Sequence, residues 1–199
     1  IFEGNSKFKH HVIPTGNWRG MVMRTDVEPF TDARVRKAVR MAVDRQALAD
    51  LVTGGAAEIT CDHPVMKTDQ YRADINCPQD IAGAKKLLAD AGFPNGIEFT
   101  VYPSSLEPTW TPIAEVVQQQ VAAAGIKVNI KVSPSDGYWS DVWMKKDVAM
   151  TRWNQRPADQ ALNEIYHSGA KWNESYYKNS EFDAILESAR KELDFEKRK

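Results

Sequence analysis

The stretch from Glu28 to Val52, EPFTDARVRKAVRMAVDRQALADLV, constrains this chain more than any other. Pro29 disfavours helix at the residue before it, and Thr31 or Asp32 then offers a side-chain oxygen to the first free amides of a helix. Val35, Ala38, Val39 and Ala42 recur at steps of three and four and share one face, while Arg34, Lys37 and Arg40 fall mostly on the other. Asp44 caps a second short helix carrying Ala47, Leu48 and Leu51, and Gly54 with Gly55 ends it.

A chain of 199 residues fits one domain, or one and a small part, with a core of ordinary size. Its apolar share of 42% and charged share of 27% are those of a globular domain, and a formal net charge of -1 carries no preference for nucleic acid or an anionic membrane. No apolar run approaches the roughly 20 residues that cross a bilayer. The opening at Ile1 and the close at Glu196-Lys197-Arg198-Lys199, inside an unfinished amphipathic pattern, are expected of a piece of a larger protein with its signal peptide upstream.

In chain order, Lys9 to Pro14 and Trp18 to Thr25 read as two strands separated by the turn residues Thr15-Gly16-Asn17. Ala56 to Pro78 shows no sustained period and reads as a long ordered loop, which needs something to tie it down. It holds the two cysteines, Cys61 and Cys77, which are a disulfide candidate in an exported protein and two thiols in a reducing compartment. Ile81, Ala84, Leu87, Leu88 and Ala91 predict a helix over Asp80 to Gly92, and Gly96 to Tyr102 alternates as a strand does. Pro112 to Ala124 is a further amphipathic helix ended by Gly125, and Ile126, Val128, Ile130 and Val132 form a half-buried strand. Strand, helix and strand in this order imply parallel pairing through a right-handed crossover. Ser135 to Lys145 reads as a helix, Val148 to Trp153 as a strand, and Asp159 to His167 as a helix. Asn179 to the end reads as another, with Phe182, Ile185, Leu186, Ala189 and Leu193 as its apolar stripe.

Three blocks resemble the family 5 extracellular solute-binding proteins, the receptors of peptide, nickel and opine ABC importers. The first is Pro-Phe, an acid, Val-Arg, Lys-Ala-Val and Ala-Val-Asp-Arg between Pro29 and Arg45. The second is Ala84-Lys85-Lys86-Leu87-Leu88, Ala91-Gly92-Phe93 and Gly96 before a strand, and the third is the helix, Gly125 and the strand after it. The resemblance covers roughly Trp18 to Arg190. It implies an α/β fold with a central mixed sheet flanked by helices, the C-terminal lobe of a periplasmic-binding-protein-like fold. Residues 1–25 are then hinge and interlobe strands, and 26–199 the ligand-binding lobe. It implies a monomer that captures a peptide or other small polar solute between two lobes, without catalysis or cofactor, and hands it to ABC permease subunits from the periplasm, or from an extracellular, membrane-associated position. An exported setting favours the Cys61–Cys77 disulfide.

The candidate contacts follow from the strand ending at Trp153, since open α/β sheets place ligands at the carboxyl ends of their strands. Trp153, Asn154, Gln155, Arg156 and Asp159 occupy the place where the resembled family lines its cleft, often with an Asp that pairs with a peptide amino terminus. Here Asn154-Gln155-Arg156 stands there, so that Asp is absent or displaced to Asp159. Arg156 suits a ligand carboxylate or phosphate, held by two parallel hydrogen bonds; its alternative is a surface ion pair. Tyr138 and Trp172 are further candidates. Trp139 and Trp143, four apart, are read as core in preference to ligand contacts, and Asn173 as a cap or turn residue.

Other chemistry is thinly represented. His10 and His11 point to opposite faces of a strand, and Cys61, His63 and Cys77 lack an evident fourth zinc ligand. The rival readings are a small α/β hydrolase, for which no nucleophile with a neighbouring base can be named, and a ligand sensor built on the same receptor fold. Asn173-Glu174-Ser175 matches a glycosylation sequon and is read as chance.

Overall fold

The computed structural model describes residues 5–9, 11, 13 and 15–199. Of the first expected strand, His10, Val12 and Pro14 lie outside the described residues, and Lys9, His11 and Ile13 belong to no strand. Strand β1 (Trp18–Met23) is the first regular element. After the cis Glu28–Pro29 bond, Asp32 rather than Thr31 caps α1 (Ala33–Met41), its carboxylate accepting from the Arg34 amide at 2.7 Å. Asp44 does the same for α2 (Arg45–Thr53) at the Ala47 amide, 3.0 Å, and Gly54 closes it at φ 61°, where a residue with a Cβ is strained. The predicted apolar face of α1, with Ala42 just beyond it, is buried, whereas Leu51 of α2 faces outward.

Asp80 caps α3 (Ile81–Asp90) and its own amide donates to the Met41 carbonyl at 2.8 Å, which locks α3 beside α1. Strand β2 (Ile97–Val101), α4 (Trp110–Ala122) and β3 (Ile126–Ile130) form the expected crossover, with Ile97 opposite Ile126 and Val101 opposite Ile130 in a parallel ladder. On α4, Gln120 exchanges two hydrogen bonds with the Asp44 backbone, at 3.0 and 3.1 Å, and so ties this unit to the start of α2. Strand β4 (Val148–Trp153) pairs antiparallel with β1, from Trp18 opposite Trp153 to Met23 opposite Val148. The strands form two two-stranded sheets, β1-β4 and β2-β3, which an isolated parallel bridge between Tyr102, just beyond β2, and Ala149 of β4 links into a mixed arrangement. The main core, with Phe30, Val35, Leu88, Phe99, Trp110, Ile126 and Met150 among its buried residues, serves the strands and α1, α3 and α4 together, and a smaller cluster groups Val65 with Ala158 and Ala161.

Three expectations need correction. Ser135 to Lys145 is not a helix: Gly137 at φ 78° leads into a single π-helical turn, Tyr138–Val142, because the Tyr138 ring is drawn into the core. Trp139 consequently stands 43% exposed, while Trp143 packs against the core. The C-terminal helix is two: α6 (Ser180–Lys191) stops at Glu192, and α7 (Phe195–Arg198) begins anew on an Asp194 cap. Of its stripe Leu186 is buried, whereas Ile185 and Leu193 face solvent. Between β4 and α6 lie α5 (Ala158–Ala161), shorter than expected, and a π-helical turn, Leu162–Tyr166.

The long loop is tied at several points. Cys61 and Cys77 form a disulfide across a separation of 16 residues, which leaves no thiolate there for zinc. Asp62 accepts from Arg40 Nε at 2.8 Å and Arg45 Nε at 2.9 Å, and Arg45 also donates to the Cys77 carbonyl at 3.3 Å. Burial works against the Asp62 anion, but the two guanidiniums outweigh it and hold its carboxyl below the ordinary range. Reduction of the disulfide is expected to cost about 3 kcal/mol, the closure entropy of a loop of this size. Urea unfolding with and without reductant measures it, and an unchanged midpoint would show that the arginine contacts hold the loop alone.

Candidate functional site

Strand β4 delivers Trp153 to its carboxyl end, where β1 places Trp18 directly opposite. The two rings stack with centroids 6.2 Å apart and planes 25° apart, the cross-strand aromatic pair that an antiparallel ladder favours. Trp172, from the loop before α6, lies 5.8 Å from Trp153, and Trp143 meets it edge-on at 6.4 Å. Through Trp143 the row continues to Trp139 and on to Trp110, so that all six tryptophans form one continuous series.

Of the residues expected at the site, Trp153, Arg156 and Trp172 come together. Arg156 lays its guanidinium 5.0 Å over the Trp153 ring, donates from Nε to Glu164 at 2.7 Å and from Nη1 to the Asn154 carbonyl at 3.3 Å. It is thus already ion-paired and stacked. Asn154 and Gln155 are exposed beside it, Gln155 held by its amide to Asn17 Oδ1 at 3.1 Å. Asp159 is engaged elsewhere, with Arg190 at 3.2 Å and Arg198 at 3.9 Å.

Tyr138 is a correction. It is 1% exposed, and its hydroxyl lies 2.9 Å from the Tyr102 carbonyl, 2.8 Å from that of Met150 and 3.0 Å from the Met150 amide. Burial pushes its phenol well above the ordinary range. Tyr138 is a core strut, not a ligand contact. Asn173 is buried too, its Nδ2 bound to the Tyr177 carbonyl at 2.6 Å, as its reading as a structural residue requires.

Sequence reasoning missed Glu174. It lies in a loop, where no periodicity marks a buried position, and it is 5% exposed. Its Oε1 accepts from Trp153 Nε1 at 3.0 Å, and its Oε2 from Thr151 Oγ1 at 2.8 Å and from Trp143 Nε1. Burial raises its carboxyl above the ordinary glutamate range, and these three donors only partly offset that. Also missed was Glu107. Arg19 and Arg152 are directly opposed on β1 and β4, a repulsive arrangement, and Glu107 lies against both, at 3.2 and 3.8 Å.

A cavity of about 260 Å³ opens elsewhere, between β1, Val39, Leu48, Ile113 and Tyr166, and none of the expected site residues lines it. The Trp153 region is instead an open aromatic surface flanked by Arg156. Among the described residues no three His, Cys, Asp or Glu side chains are grouped to hold a metal ion, and no helix is long and apolar enough to cross a membrane.

The fold is that of parts of solved binding proteins. NikZ from Campylobacter jejuni in complex with Ni(L-His) superposes with a TM-score of 0.85 at 21% identity, over 99% of this chain and 43% of that one. AgaA from Agrobacterium tumefaciens R10 in complex with agropinic acid does so with 0.81 at 26%, over 92% and 39%. Residues 1–174 match the model of the bacterial extracellular solute-binding proteins, family 5 Middle, and the chain belongs to that family. The glutathione-binding protein GsiB of Pectobacterium atrosepticum is 28% identical over 207 residues, covering 98% of this chain and 40% of GsiB. Heme-binding protein A of Haemophilus influenzae is 29% identical over 180 residues, 85% of this chain and 33% of that protein. The chain therefore spans well under half the length of the curated relatives it matches.

Because the folded-state pKa of Glu174 is raised, the folded chain holds that proton more tightly than the unfolded one. The resulting stability is full below the unfolded pKa and is lost as pH rises through the folded value. Glu174→Gln, which cannot ionise, is expected to gain stability relative to the parent as pH rises from about 4 to 8. Urea midpoints across that range check it, and a difference that stays flat refutes it.

Proposed function

We propose that this chain is the C-terminal ligand-binding lobe of a two-lobed receptor that captures a peptide-like or other small polar solute and delivers it to an ABC permease. In this reading residues 26–199 form the lobe and 1–25 the hinge and interlobe strands; the receptor works as a monomer in the periplasm, without catalysis or cofactor. Membership of the family supports the transport role. The observation that carries the reading is the Trp153 surface: stacked rings with a guanidinium on their border, at the carboxyl end of a sheet strand.

The residues of the surface support one way of holding a solute. Ring faces of Trp153 and Trp172 take apolar or planar parts of the solute, while Asn154 and Gln155 offer hydrogen bonds. Arg156 spends Nε on Glu164 and one Nη1 hydrogen on the Asn154 carbonyl, which leaves Nη2 and the second Nη1 hydrogen for a solute carboxylate or phosphate. Asp159, ion-paired to Arg190, stands at the margin and serves a solute amine only by yielding that pair. Closure of a second lobe over this one would complete the enclosure.

Native mass spectrometry of the complete receptor purified from its host identifies the co-purifying solute. Trp153→Ala is expected to weaken that solute by about 2 kcal/mol, roughly thirtyfold, and Arg156→Ala by about tenfold. The present chain alone is expected to bind at least about tenfold more weakly than the whole receptor, since half a cleft makes half the contacts. Unchanged affinity in both variants would remove the proposed site.

A further inference from the structure

Glu174 is the one charged side chain in the buried class among the described residues. A carboxylate taken out of water without a cation beside it is costly, and the three groups that meet it are neutral donors: two indoles and a hydroxyl. An apolar residue would fill the space more cheaply. What an apolar residue could not do is hold two divergent indole N–H groups at once. An indole only donates, and a carboxylate is the side chain with two oxygens that only accept. Glutamine, with a single carbonyl, satisfies Trp153 or Trp143 but not both, because its amide nitrogen then opposes the other indole.

We propose that Glu174 is the positioning residue of the aromatic surface: through Trp153 Nε1 on one oxygen and Trp143 Nε1 on the other, it fixes which face each ring presents. The proposal rests on the reading of Trp153 as a solute-facing wall. Tryptophan χ2 is a broad torsion, so a ring held by packing alone can reverse its face. With the N–H pinned from behind at 3.0 Å, Trp153 is held in one orientation toward Trp18, Trp172 and Arg156. Thr151, beside it on β4, adds a third hydrogen bond but touches no solute-facing ring edge through it. The titratable groups that feel the Glu174 charge are the phenols of Tyr138 and Tyr166, which it helps to keep protonated.

The test needs no solute. In ¹⁵N indole spectra of the full-length protein, Trp143→Phe and Trp153→Phe each remove one signal and so assign the pair. Both signals are expected to shift together on acidification with one midpoint, and Glu174→Gln to abolish that titration. The same variant is expected to diminish the near-ultraviolet circular dichroism of the Trp18–Trp153 stack while the far-ultraviolet spectrum stands. Thr151→Val, which deletes a hydrogen bond to the same carboxylate but no indole contact, is expected to keep both signatures. Indole signals that do not titrate in the parent, or a Thr151→Val protein that loses the ring signal as fully as Glu174→Gln, would overturn the assignment. Should Glu174→Gln fail to fold, the parent titration and the Thr151→Val spectrum decide. Failure of the functional reading looks different: both signatures would be present in the parent protein, yet Trp153→Ala would bind solute as tightly as the parent.

Discussion

The antiparallel ladder between β1 and β4 is the constraint on which the rest depends. It joins Trp18–Met23 to Val148–Trp153, segments separated by most of the chain, so its closure carries a large entropy cost that the intervening crossover, by shortening the loop, reduces. Tyr138 secures the junction. Its buried hydroxyl lies between the carbonyls of Tyr102 and Met150 and so spans the seam between β4 and the end of β2. The two sheets are linked there by the bridge from Tyr102 to Ala149. Without that seam the aromatic surface would lose its frame, because Trp18 and Trp153 face each other solely through the β1–β4 register.

Elements governed by local rules were legible in the sequence. Asp44 and Asp80 announced the starts of α2 and α3 and hold them through side-chain bonds to backbone amides. The alternation of Ile126, Val128 and Ile130 announced β3, and the crossover order announced its parallel pairing with β2. The stretch around Tyr138 misled for a physical reason. Tyr138 with Val142, and Trp139 with Trp143, have the four-residue spacing of a helix, but a π-helical turn brings such pairs to one side as well. The burial of Tyr138 against β4, a tertiary demand, then decided the outcome. Glu174 left no trace in the sequence, because its partners Trp143, Thr151 and Trp153 lie 21 to 31 residues away and meet it only in the folded chain.

The site was half legible. That a strand would end at Trp153 with Arg156 just beyond it could be read from residue types, and so could the nearness of Trp172 through the family pattern. That Arg156 would be paired with Glu164, and Asp159 turned toward Arg190 and Arg198, could not, because those partners are set by how the segment after α5 folds back.

That pairing bears on what such a surface can select. A bare guanidinium would attract any anion strongly, but Arg156 is already neutralised by Glu164 and shares its face with Trp153. On the proposed reading a solute carboxylate would gain directed hydrogen bonds there but less Coulomb energy than beside a bare guanidinium, since Glu164 repels it while Arg156 attracts it. In such a receptor discrimination by charge would be weakened and discrimination by shape would gain weight, with what a solute lays against Trp153 and Trp172 counting for more. The proposed role of the buried Glu174 behind Trp153 would act in the same direction, because a surface that selects by stacking depends on its rings standing still.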